Sequence, residues 1–144
     1  MTPKRRALES TEPDPDRIFG PLTGATLRLI WHGGEMSVAT AVERLRGELG
    51  RPLAYTTVMT ILTRLHQKGL LMRRKVGRQY LYGAAMSEAE ASAASSRLAV
   101  EKVLDRYGTL ALRQFAERLS ELDPQLRAQL MELASTHRGP KSGE

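Results

Sequence analysis

The chain of 144 residues contains no cysteine. Disulfides, thiolate zinc sites, iron–sulfur clusters and a thiol redox switch are therefore excluded, and a cytoplasmic protein is the reading that fits. It has no apolar run of about 18 residues, so no membrane insertion is expected. The opening MTPKRRALESTEPDPD is charged and lacks an apolar stretch. It reads as a disordered arm over residues 1–16 and not as a secretory signal. No Gly-rich phosphate loop, G-x-S-x-G or H-E-x-x-H occurs, and no Ser/His/Asp grouping follows from the spacing. His32, His66 and His137 are far apart, and none has a partner at metal-ligand spacing. The expectation is a protein without catalytic residues, metal or cofactor.

What the chain does have is unevenly spread positive charge. Of 22 Lys+Arg and 16 Asp+Glu, residues 1–83 hold 14 and 7, leaving 8 and 9 for residues 84–144. The net +6 thus comes from the first part alone. A basic part joined to a near-neutral one suggests a polyanion-binding module joined to something else.

Helical periodicity starts at Pro21, which suits a first helical turn, and runs to about His32 with Leu22, Ala25, Thr26, Leu29 and Ile30 on one stripe. Gly33 and Gly34 stop it. Ser37 caps a second helix whose Val38, Ala41, Val42, Leu45 and Leu49 follow the i, i+3, i+4, i+7 pattern. A third helix begins near residues 54–56. Stepping about 100° per residue puts Ile61, Leu62 and Leu65 within about 60° of Val58, which makes a core face. Thr56, Thr60, Thr63 and Gln67 fall opposite, flanked by Thr57 and Arg64. Gly69 ends this helix, and two strands over residues 71–75 and 79–82 follow around a turn at Val76–Gly77. Arg73, Arg74, Lys75 and Arg78 crowd the hairpin end. Three short helices and a hairpin make a winged helix-turn-helix layout, expected over residues 17–85.

Past Gly83 the pattern changes to thin amphipathic helices over residues 86–138, followed by a frayed tail over 139–144. Ser87 with Glu90 makes a capping box. The apolar positions include Leu98, Val103, Leu104, Tyr107, Leu112, Phe115, Leu119, Leu126, Leu130 and Leu133. About 55 such residues alone bury little surface, so pairing with a second copy is the economical solution. The fold class expected is mainly α with a small β-wing: a winged helix plus a C-terminal helical dimerisation domain.

The chemistry of the third helix suits a DNA major groove, which admits one α-helix. Thr56, Thr57 and Thr60 each offer a hydroxyl that donates or accepts and a methyl that can touch thymine; Met59 at the border adds an apolar contact. Tyr55, Thr63, Arg64 and Gln67 are candidates for phosphate and backbone contacts, as are the four wing cations.

The run AYTTVMTILTRLHQKGLL followed by GRQYLY resembles the signature of the penicillinase-repressor family, the BlaI/MecI/CopY winged-helix regulators. Its third-helix pattern T-V-x-T-x-L-x-R-L-x-x-K-G is met from Thr57 to Gly69, its wing pattern G-R-x-Y at Gly77, Arg78 and Tyr80, and its L-x-x-x-W at Leu27 and Trp31. The likeness covers residues 18–90 well and the helical tail in layout. It implies a repressor that binds a palindromic operator in double-stranded DNA as a homodimer, with Thr56, Thr57, Met59 and Thr60 at base-reading positions and Arg64 and the wing cations on the backbone. A membrane metallopeptidase sensor is the partner that release by proteolysis would call for. Two departures limit the likeness. The copper-responsive branch carries a C-terminal cysteine cluster, which is absent here. The antibiotic-responsive branch is cut at an Asn–Phe bond, and this chain has no asparagine. A small-molecule-responsive winged helix, with a ligand pocket in the dimer domain, stands as the alternative.

Overall fold

The computed structural model describes residues 14–136. Residues 1–13 of the expected arm, the expected tail and His137 lie outside them. Of the arm expected over residues 1–16, residues 15 and 16 lie in a short helix, α1 (Pro15–Phe19), with Asp14 as its N-cap. The Asp14 carboxylate accepts from the Asp16 backbone N–H at 3.0 Å, and proline sits in the first turn. Asp16 is ion-paired to Arg28 on the next helix, α2 (Pro21–Gly33). A Cβ at Gly24 would come within 2.9 Å of the Asp16 backbone, so a glycine is what lets the two helices lie this close. Five residues are too few to show a helical period, which is why this element escapes a pattern-based reading.

On α2 the buried set is Ala25, Thr26, Leu27 and Ile30 with Gly24. Leu22 and Leu29, expected in the stripe, are only partly buried, while Leu27 is fully enclosed. The Thr26 hydroxyl is satisfied by the Leu22 carbonyl at 2.8 Å. The chain then forms β1 (Met36–Ser37), a strand the periodicity does not reveal. Ser37 caps α3 (Val38–Leu49), accepting from the Thr40 N–H at 3.2 Å, and Val38, Ala41, Val42 and Leu45 are buried as expected. Arg46, in the last turn of α3, donates twice to the Leu53 carbonyl, at 3.0 and 2.7 Å, and ties down the connection into α4 (Tyr55–Gln67).

After α4 come β2 (Leu71–Val76) and β3 (Gln79–Ala84), each slightly longer than expected. Their antiparallel register runs from Leu71 opposite Ala84 to Val76 opposite Gln79, and Gly77 supplies the left-handed residue of the turn at φ 63°. β1 pairs with β3 through Met36–Tyr82 and Ser37–Leu81, so the sheet order is β1-β3-β2. The core joins α2, α3, α4 and the sheet through residues such as Leu27, Leu45, Val58, Leu62, Leu71 and Tyr82. Trp31 donates its indole N–H to the Met86 carbonyl at 3.0 Å, pinning the chain where it leaves the sheet.

Three more helices follow: α5 (Glu88–Tyr107), α6 (Thr109–Ser120) and α7 (Pro124–Thr136). Ser87 and Glu90 form the expected capping box, and Asp123 caps α7 by accepting from Leu126 N–H at 2.9 Å. Contacts divide the chain into two compact units, residues 1–98 and 99–144. The division falls inside α5, later than the boundary expected at 85/86, because Ala91 and Ser92 in its first turns are buried with the first unit. No helix among the described residues is long and apolar enough to cross a membrane.

Candidate nucleic-acid interface

The geometry of α4 follows from its two faces. Val58, Leu62 and Leu65 are driven into the core, and this fixes the rotation of the helix about its axis. Tyr55, Thr56, Thr57, Met59, Thr60, Arg64 and Gln67 are consequently exposed, whereas Thr63 is half-buried and less available. The N-terminus of α4 starts at Ala54, which has no side chain able to cap it. The first backbone N–H groups therefore face solvent and suit an anion such as phosphate. The starts of α2 and α6 likewise have no side-chain cap, whereas α1, α3, α5 and α7 each carry one.

Two of the threonines have committed their hydroxyl protons. Thr60 Oγ1 donates to the Thr56 carbonyl and Thr63 Oγ1 to the Met59 carbonyl, both at 2.8 Å. With its proton so placed, Thr60 can accept from a base amino group and present its methyl. No hydrogen bond engages the Thr56 or Thr57 hydroxyl among the described residues, so these keep both options.

The wing does not treat its four cations alike. On the face of β2 that carries Leu71, Arg73 stacks on the Tyr80 ring at 4.2 Å and reaches the Tyr82 hydroxyl at 3.4 Å. Lys75, opposite Tyr80, and Arg78 in the turn are exposed, and neither has an ion-pair partner among the described residues. Arg74 lies on the other face and donates to Glu35, Nε at 3.0 and 2.9 Å and Nη2 at 2.6 Å. This two-oxygen pair holds the Glu35 carboxyl below the usual carboxylate range and raises the Arg74 guanidinium. Arg74, expected among the backbone contacts, is thus ion-paired to Glu35 in the free protein, with its side chain 64% exposed. Glu35 escaped sequence reasoning because nothing local marks a partner 39 residues away.

The proposed dimer positions are on show. Leu98, Val103, Tyr107, Leu112, Phe115, Leu119, Leu130 and Leu133 are exposed, and Leu104 and Leu126 are half-buried. Within the second unit, Val103, Tyr107, Leu110, Ala111, Gln114 and Phe115 line an open groove of about 240 Å³. Among the described residues no group of His, Cys, Asp and Glu is placed to hold a metal ion.

Comparison with known proteins adds three findings. The model of the penicillinase repressor family matches residues 19–136. No curated protein matches. Among solved structures, the chain is similar to the transcriptional regulator Tm0710 from Thermotoga maritima, at 19% identity and a TM-score of 0.42, over 94% of this chain and 95% of that one.

Proposed function

The chain belongs to the penicillinase repressor family, and from that premise we propose that it is a cytoplasmic DNA-binding repressor that grips a palindromic operator as a homodimer. The observation that carries this reading is the exposed, threonine-lined and uncapped start of α4 beside a basic hairpin. Thr56, Thr57, Met59 and Thr60 read base edges in the major groove. Tyr55, Thr63, Arg64 and Gln67 hold the phosphates on either wall, and Arg73, Lys75 and Arg78 follow the backbone from the wing. Base contacts set the sequence; the cations add affinity that falls with salt.

Two copies are required for a useful site. One reading helix covers a short half-site, and a two-fold pair repeats it about one helical turn away. The exposed apolar positions of α5, α6 and α7 supply the pairing surface. Release follows from a signal outside this chain; a membrane metallopeptidase sensor that triggers proteolysis is the partner we favour, at a bond other than Asn–Phe.

Selection from a random duplex pool, followed by titration of the winning palindrome and a scrambled control at fixed salt, tests the reading. A preference of at least about 10³-fold with a steep salt dependence is expected. Equal affinity for both duplexes would sink it. The groove on the second unit also favours a second reading, a small apolar effector bound there. A ligand that raises the melting temperature and is lost with Phe115→Asp would support that reading.

A further inference from the structure

We propose that Glu35 limits the grip of the wing on DNA: it holds the Arg74 guanidinium at the base of the wing and so withholds one cation from the DNA phosphates. The inference rests on the reading of the wing as a DNA-contacting element. Its geometry comes from the sheet register. Arg74 on β2 lies opposite Leu81 on β3, and Leu81 lies opposite Ser37 on β1. Glu35 directly precedes the Met36–Tyr82 pair, so it sits two residues further from the hairpin tip than Arg74 does. To meet it, Arg74 reaches across β3 and leans toward the base, away from Lys75 and Arg78. Gly83, between the two, has no side chain to stand in the way; a Cβ there would lie 3.9 Å from the Glu35 Cβ.

Charge placement makes the pairing more than incidental. No Asp or Glu occurs between Glu48 and Glu88, a stretch that includes α4 and the whole wing. Among the described residues, Glu35 is the carboxylate that forms an ion pair with a cation of that stretch. Three donor contacts of 2.6 to 3.0 Å engage both of its oxygens. A carboxylate so placed repels phosphate and cancels a neighbouring cation. Both effects weaken the phosphate contacts that operator and unrelated DNA share, and leave base readout by α4 untouched. Affinity for every duplex is lowered by about the same factor, and the salt dependence of binding is shallower by one contact.

The test measures binding of a fluorescent scrambled-sequence duplex across a salt series, with thermal melts to confirm that each variant folds. Lys75→Ala and Arg78→Ala should each reduce the slope of log K against log salt by about 0.9, the loss of one phosphate contact. Arg74→Ala should leave the slope at its wild-type value. Glu35→Gln should steepen it by about 0.9 and tighten binding several-fold at low salt, and adding Arg74→Ala to it should erase that gain. A merely structural role for Glu35 would lower affinity without steepening the slope. The inference is overturned if Arg74→Ala flattens the slope as Lys75→Ala does, or if Glu35→Gln does not steepen it. Unchanged slopes for Lys75→Ala and Arg78→Ala would instead refute the wing as a DNA contact, and this inference would fall with that reading.

Discussion

The two units use the same amphipathic helices to opposite ends. Of 17 buried hydrophobic residues among those described, 16 lie in the first unit and only Ala111 in the second. Yet the second unit is not poor in apolar side chains: Leu110, Leu112, Phe115, Met131 and Leu133 are 45–71% exposed. In the first unit the stripes of α2, α3 and α4 meet one another and the sheet. In the second, Ala111 is the one buried hydrophobic among the described residues. Fully burying one such side chain is worth about 1.5–3 kcal/mol, so a surface of this kind gains most from a second copy. Periodicity alone says that a helix has an apolar face; it does not say whose surface that face will meet.

Removing one side of this comparison should have the largest effect. A chain ending at Leu98 keeps the buried Ala91 and Ser92 of α5 and loses the second unit. It is expected to sediment as a folded monomer and to bind the operator at least about 100-fold more weakly, as loss of a linked half-site demands. A truncated chain that still dimerises would overturn the division of labour. Next comes Phe115→Asp, a charge placed on an exposed apolar position. It should shift the dimer toward monomer in sedimentation while the melting of the first unit stays put. If Phe115→Asp were neutral, that stripe would not be an interface.

Within the first unit, the two sides of α4 can be set against each other. Leu62 is fully buried, so Leu62→Ala should cost about 2–5 kcal/mol of stability in denaturant titrations. Thr60 is exposed, so Thr60→Ala should leave stability nearly unchanged but cost about 1–3 kcal/mol of operator affinity, with little effect on scrambled DNA. Equal losses on both duplexes would remove Thr60 from the base-reading set.

The smallest effect concerns pH. The Glu35 carboxyl is lowered in the folded protein by its hydrogen bonds to Arg74. Its contribution is therefore fully present above the unfolded carboxylate value of about 4.3 and is lost as pH falls through the lowered folded value. The Arg74 Nε–H resonance should report this loss in an acid titration. The pair is exposed, so global stability should barely move.

Much of this was legible in the linear chain. Val58, Leu62 and Leu65 are spaced for one helical face, and that spacing predicts which threonines point outward. Ser37 and the Ser87–Glu90 box mark helix starts through short-range hydrogen bonds, and Gly77 marks the hairpin turn. Other features were not legible. β1 is two residues long and exists because β3 offers it an edge. Leu27 is enclosed and Leu22 is not because of how α2 meets its neighbours, not because of its own period.

The sequence by itself determined the helices, the hairpin, the threonine face and the concentration of positive charge in one part of the chain. All of these depend on residues within a turn or two of each other, where spacing and backbone chemistry suffice. Only the tertiary structure decided that Arg74 pairs with Glu35 and that α5 shares its length between two units. Each of those outcomes depends on residues far apart in the chain being brought to one place by sheet register and core packing, which no local pattern encodes.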